Sequence, residues 1–311
     1  MLDLLRLLYG TVLLRPYVFA FLAVYLVAGA AHLGVGRTLL FIPLGYALAW
    51  ISEFSSIHCG FPYGDYYYLE TTAGRELWVF GVPFMDSLSY VFLAYCSYST
   101  ALFVLSPIRS ARRNLLVLET RALRRSPQTL VLGAFLFVLL DIIIDPVALR
   151  GSRWFLGQIY GYRSPGLYFG IPLSNFGGWL LVGFLEVGAL QFLAARDGLE
   201  PDGPSRLSRI PGIQCLGPLL YASVLVFNLT VTFWIGETFL GLVGCMILFF
   251  PSLLVFFFTL HKQRCRDPES WGEHLADFPH SPARELLSGK AESTALDHPV
   301  QGGRGTVQQG P

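Results

Sequence analysis

The sequence predicts an all-α protein: a polytopic transmembrane helix bundle of about seven spans (six to eight), followed by a disordered polar tail. Three observations predict it. Of 311 residues, 53% are hydrophobic and only 14% are charged, with a mean hydropathy of +0.53, whereas a soluble domain is roughly 25% charged. Seven stretches hold the roughly 20 apolar residues needed to cross a bilayer core about 30 Å thick. From about Arg266 onward the chain is rich in Gly, Pro, Ser, Gln and charge, a composition that buries no core. The division expected is therefore a transmembrane helical domain over residues 1–265 and a disordered tail over 266–311. So little polar surface excludes a soluble enzyme, a coiled coil and a disordered chain.

Residues 2–14 are apolar, but Arg6 and Arg15 make them a short interfacial helix rather than a span. No small-residue cleavage site follows, so this segment is expected to be retained. The spans then fall at about 16–35, 38–57, 82–105, 128–146, 172–194, 214–235 and 238–260. The loop between the third and fourth carries Arg109, Arg112, Arg113, Arg121, Arg124 and Arg125. Seven crossings place Arg37, Arg196, Arg206, Arg209, Lys262, Arg264 and Arg266 on that same side. Arg6, Arg15, Arg75, Arg150, Arg153 and Arg163 fall opposite, and thirteen against six favours an outer amino terminus. The net charge of +1 argues against nucleic acid as a partner. Cys59, Cys96, Cys215, Cys245 and Cys265 are scattered without a C-x-x-C pair, so neither a disulfide framework nor a metal site is expected.

Polar residues inside the spans are expensive, at roughly 2.5–3.5 kcal/mol per ionisable group on insertion scales, and tend to be kept for function or pairing. Connectivity puts Glu53, Asp86, Asp141, Asp145 and Asn175 in one leaflet. Asp141 and Asp145, at i,i+4, share a helix face about 6 Å apart in depth. Two such carboxyls are not both ionised cheaply, so one is expected to keep its proton and serve as a donor. The alternative is pairing with Arg150 or Arg153. Tyr46, Trp50 and Glu53 share another face, as an acid over an aromatic wall or as ordinary packing.

The loop His58-Cys59-Gly60-Phe61-Pro62-Tyr63-Gly64-Asp65-Tyr66-Tyr67-Tyr68 is either an interfacial aromatic belt or a set of ring faces for a cation. Asn175, Trp179 and Glu186 lie on one face; Glu186, near the midplane, reads as a hydrogen bonder across a helix interface rather than a channel residue. Gly177, Gly178 and Gly183 are expected to serve close helix approach. Gly81-Val82-Pro83-Phe84-Met85-Asp86 weakly echoes Gly170-Ile171-Pro172-Leu173-Ser174-Asn175; both read as helix starts that place a small polar side chain at the same depth, and the echo reads as a chance match in apolar sequence rather than as two related helix hairpins.

Glu53, Gly60-Phe61-Pro62-Tyr63-Gly64-Asp65-Tyr66-Tyr67-Tyr68 and Gly81-Val82-Pro83 together resemble the first block of the CruF-like carotenoid biosynthesis proteins. Asp141-x-x-x-Asp145-Pro146, Trp154 and the run Tyr168 to Trp179 resemble that family's second block, and the match covers about residues 40–195. Met85-Asp86-Ser87-Leu88-Ser89 is more polar than the family's usual run, and Phe155 and Leu156 follow Trp154 where a second Trp is usual.

The resemblance implies an integral membrane hydratase, in a bacterial inner membrane, that adds water across the terminal 1,2 double bond of a carotenoid ψ-end without a cofactor. It implies an apolar carotenoid substrate, membrane lipid and other carotenoid-pathway enzymes as partners. Asp141 and Asp145 would supply the proton, and Glu53 or Asn175 would orient the water. Tyr66, Trp154 and Trp179 would face the developing cation, with Asp86, Tyr63 and Tyr68 also at the substrate. Two rival readings are a Mg²⁺-dependent prenyltransferase using Asp141-x-x-x-Asp145 for a diphosphate, and a proton-coupled transporter or lipid-binding scaffold.

Overall fold

The computed structural model describes residues 2–111, 114–195, 207, 210–264, 268–281 and 283–284. Arg112, Arg113, Arg196, Arg206, Arg209 and Arg266, which enter the orientation argument, lie outside the described residues, as do Cys265 and residues 285–311.

Helix α1 (Leu2–Leu14) meets α2 (Pro16–His32) at 91°, with Pro16 supplying the first turn of the second helix. That right angle is the geometry of a helix lying along an interface beside one that enters the bilayer. Helix α3 (Val35–Cys59) stops at Gly60, whose φ of 72° is the left-handed cap that a glycine provides. Then come β1 (Tyr66–Tyr68), β2 (Trp78–Val79), β3 (Val82–Pro83) and α4 (Phe84–Leu105). The other end of the bundle carries a hairpin of β4 (Ile108–Ala111) and β5 (Asn114–Val117), followed by the short α5 (Arg121–Arg124). Next are α6 (Pro127–Ala148), β6 (Tyr160–Tyr162), α7 (Leu173–Ala195), α8 (Leu216–Trp234), α9 (Thr238–Arg264) and α10 (Pro268–Asp277).

Six of these helices, α3, α4, α6, α7, α8 and α9, are long and apolar enough to cross a membrane, and the count is seven if the bent α1–α2 pair is taken as one span. The protein is a membrane-spanning helical bundle, as its hydropathy predicts. Helix α4 is its axis, buried nearly throughout from Met85 to Leu102 and packed on α2, α3, α6, α7 and α8. Helices α6 and α7 approach closely where a Cβ on Gly183 would meet Phe137 at 3.1 Å and Ala134 at 3.3 Å. Gly178 instead lets the loop approach α7, since a Cβ there would meet the Pro62 backbone and the Tyr63 ring, while a Cβ on Gly177 would meet nothing within 4 Å, contrary to expectation.

The two echoing segments share a local turn in the backbone. Phe80 and Gly81 adopt φ of 50° and 82°, and Phe169 and Gly170 adopt 50° and 95°. Each pair turns the chain between bridged residues, Val79 with Val82 and Tyr168 with Ile171, immediately before a Pro that leads into a helix.

The stretch expected to stay unfolded begins instead with an ordered element. Helix α10 docks on the basic end of the bundle, where Trp271 and Leu275 pack on Leu116 and Leu118. Asp277 accepts from the Arg121 amide at 2.7 Å, and His274 Nδ1 donates to the Glu119 carbonyl at 2.7 Å. Composition averaged over the tail hides this short amphipathic turn. Burial pushes the Glu119 carboxyl up, but Arg124 and His32, each 3.0 Å away, outweigh it and hold it well below the usual range. Burial lowers His274, so its neutral form belongs to the docked helix. The unfolded segment therefore takes up a proton first, and docking is expected to weaken as pH falls below about 6.5. Trp271 fluorescence should report release on acidification, and His274→Gln should abolish that dependence.

Candidate active site

The acids converge at the end of the bundle that carries β1 and β6. Helix α6 holds Asp141 and Asp145 on one face, both buried. Its Pro146 has no N–H to give to the Ile142 carbonyl, and the Tyr168 hydroxyl donates to that oxygen at 3.3 Å instead. Asn175, in the first turn of α7, donates from Nδ2 to Asp141 Oδ2 and to Asp145 Oδ2, both at 2.9 Å. One amide thus bridges the two carboxyls. Asp141 Oδ1 is buried with no geometric hydrogen bond of its own, and Asp145 is the acid it interacts with.

Pairing with arginine is excluded. Arg150 Nε lies 3.2 Å from Glu237 Oε1, Arg153 also pairs with Glu237, and Arg150 donates to the Pro146 carbonyl at 2.7 Å.

Two tyrosines that sequence reasoning missed complete the Asp145 site. Tyr160 donates to Oδ1 at 2.8 Å and Tyr162 to Oδ2 at 3.0 Å. They come from β6, which pairs antiparallel with β1, Tyr66 opposite Tyr162 and Tyr68 opposite Tyr160. Alternation along a strand sends both tyrosines of each Tyr-x-Tyr to one face, and the repeated Tyr-x-Tyr was the available signal. Burial, then Asp145, pushes both phenols far above their ordinary range, and burial does the same for Tyr63, Tyr66 and Tyr68. These hydroxyls keep their protons. An ultraviolet phenolate titration should leave all five silent up to about pH 10, where exposed tyrosines ionise.

Asp86 and Glu53 face the pair. Tyr68 donates to Asp86 Oδ2 at 2.7 Å, and Tyr66 reaches the Tyr68 oxygen at 3.4 Å. Ser87 donates to Glu53 Oε2. The aromatic surroundings of Glu53 are Tyr63, Tyr66, Tyr68 and Tyr90; Trp50 turns instead to the Val79 carbonyl at 3.0 Å.

Two adjoining cavities follow from this arrangement. The smaller, about 40 Å³, is polar and is walled by Glu53, Asp86, Asp145, Asn175 and the surrounding tyrosines, Tyr63, Tyr66 and Tyr68 included. The larger, about 110 Å³, is apolar, with Met85, Leu93, Ile144 and Trp154 among its walls. Asp86, Tyr90, Asp145, Tyr160 and Trp179 belong to both. The Trp179 ring stacks on Tyr90 at 4.8 Å and lies 4.8 Å from Phe137. Of the residues expected at the site, all line one or both cavities except Asp141, which lies behind Asp145 and shares the Asn175 amide with it. Asp86 was expected as a substrate contact, and it is the second carboxyl at the junction.

Glu186 does not make its expected hydrogen bond. It is 0% exposed, neither oxygen has a hydrogen-bond partner, and it lines neither cavity. A buried acid without a partner costs stability, so Glu186→Met is expected to raise thermal stability by about 1–3 kcal/mol without loss of activity. Thermal unfolding in detergent, paired with an activity assay, checks it.

Among the described residues no group of three His, Cys, Asp or Glu is placed to hold a metal ion. The family model described as carotenoid biosynthesis protein matches residues 10–251. No curated protein and no solved structure matches the chain.

Proposed function

The chain belongs to the carotenoid biosynthesis protein family, and from that premise we propose that it hydrates the terminal double bond of an acyclic carotenoid end group. The single observation that carries this reading is the junction of an apolar cavity with a polar one at Asp145 and Asp86. Adding water to a dimethyl-ended alkene needs an acid at one carbon, a cation-tolerant wall and one water at the other carbon. An apolar chamber beside a polar chamber of about 40 Å³ has room for the end group and for water, which needs at least about 10–15 Å³ and two or more polar partners.

In this scheme Asp145, sharing one proton directly with Asp141 while the Asn175 amide holds the two carboxyls together, gives that proton to C2. The C1–C2 π pair forms the new C–H bond and leaves a tertiary cation at C1. Trp179, Tyr90 and Trp154, which line the apolar chamber, supply the aromatic wall beside it; a ring that meets such a cation is worth about 2 kcal/mol or more in a desolvated site. Water from the polar cavity, oriented by Glu53 and Asn175, bonds to C1, and its surplus proton returns to the dyad, directly or by way of Asp86. Protons balance, so no cofactor is consumed.

The prenyltransferase reading needs cations for a diphosphate. Arg15 pairs with Glu76, Arg150 and Arg153 with Glu237, and Arg163 with Asp65; none of these arginines lines either cavity. The positive-inside count supports an outward-facing site, and we place the protein in a bacterial inner membrane. Expression in a lycopene-producing host tests the activity. Pigments heavier by one water are expected, and unchanged pigment with the protein present would overturn the proposal.

A further inference from the structure

The larger cavity measures about 110 Å³. A dry protein cavity of about 150 Å³ holds one benzene, so this one takes a single branched five-carbon unit and none of the long chain behind it. The rest of the substrate must leave through a wall. The residues that line only the apolar chamber, away from the acids, include Tyr17 and Phe21 of α2 and Phe227 of α8. Their rings form a continuous stack. Tyr17 lies on Phe227 at 5.3 Å and 21°, Phe21 meets Phe227 edge-on at 5.8 Å, and Tyr17 meets Phe155 at 5.7 Å. Phe155 is 50% exposed, and Val226, the neighbour of Phe227, is 62% exposed. Ring contacts thus run from the cavity wall through Tyr17 on α2 and Phe227 on α8 to the exposed Phe155, in the segment between α6 and β6.

We infer that the substrate enters sideways between α2 and α8, inserting only its terminal isoprenoid unit while the remaining polyene stays in the bilayer against this ring stack. The inference rests on the hydration reading for the identity of the tip, but the portal is defined by the cavity and the rings. Polarizable, planar rings suit a flat conjugated chain, and a stack held by packing alone parts without breaking a hydrogen bond. Tip-only binding makes chain length and the far end immaterial, whereas a cyclised near end is too bulky for the chamber. A substrate with two acyclic ends is then processed one end at a time, with release between them.

Photolabelling of the full protein in lipid nanodiscs tests this. Two probes are linear isoprenoid chains with a dimethyl-ended double bond, carrying a diazirine either beside that end or several isoprene units away. The near-end probe should label Met85, Leu93 or Ile144, and the far probe Tyr17, Phe155 or Phe227. Phe227→Trp, which crowds the stack, should cause loss of the near-end labelling. Far-probe labels on α3, α7 or α9, or only lipid-facing labels from both probes, would overturn the portal. Correct labels without water addition would spare the portal and refute hydration, whereas hydration with far labels elsewhere would refute the portal alone.

Discussion

Asp145→Asn is expected to lower hydration by about two to four orders of magnitude, the usual contribution of a positioned acid, while the protein still folds. Asp145 faces both cavities, as Asp86 does, and is the one of the two that receives Tyr160, Tyr162 and Asn175. Asp145 accepts Tyr160 at Oδ1 and Tyr162 and Asn175 at Oδ2, and an Asn keeps only one of those oxygens, so part of this hydrogen-bond set is lost together with the transferable proton. Asp141→Asn should lose less, about ten- to a hundredfold. Asp141 lines neither cavity and acts through a charged hydrogen bond worth about 1.5–3 kcal/mol. Product formation by purified variants of matched thermal stability separates the two. Full activity in Asp145→Asn would remove this carboxyl from the mechanism.

Glu76→Ala is expected to destabilise the protein by about 3–5 kcal/mol, the effect of removing one partner of a buried ion pair. Arg15 grips Glu76 from two nitrogens, at 2.8 and 3.0 Å, and also donates to the Leu156 carbonyl. Arg15 and Glu76 are each 1% exposed, so either one alone is a charge stranded out of water. The pair ties the α1–α2 corner to the loop before β2 and to the segment leading into β6, which carries Tyr160 and Tyr162. Loss of activity should therefore accompany loss of stability. The double variant Arg15→Met/Glu76→Leu should regain most of the stability, because apolar replacement of a whole buried pair is often neutral. Thermal unfolding in nanodiscs measures both; equal destabilisation in single and double variants would contradict the pairing account.

The spans were legible because hydropathy is a local property, and each long helix falls within a few residues of its apolar run. Asp141, Asp145 and Asn175 were legible because a polar group in a membrane helix is costly. The i,i+4 spacing and the matching Pro-led helix starts placed them at one depth. Tyr160 and Tyr162 were not legible. A loop tyrosine near an interface looks like an aromatic belt, and pairing Tyr66 with Tyr162 joins residues far apart in the chain. Tyr90 was hidden for another reason: α4 is buried on all sides, so no amphipathic face marks which ring meets the cavity. The docking of α10 depends on Glu119 and Arg124, which hydropathy reads only as a basic loop.

Solvent isotopes test the central claim most directly. Purified protein in nanodiscs would be given an acyclic carotenoid in D₂O enriched in H₂¹⁸O, and the product analysed by mass spectrometry and NMR. Protonation followed by water capture predicts one deuterium at C2 and one ¹⁸O at C1 for each end converted. Oxygen drawn from O₂, or a product without solvent deuterium, would contradict the acid pocket as the seat of the chemistry.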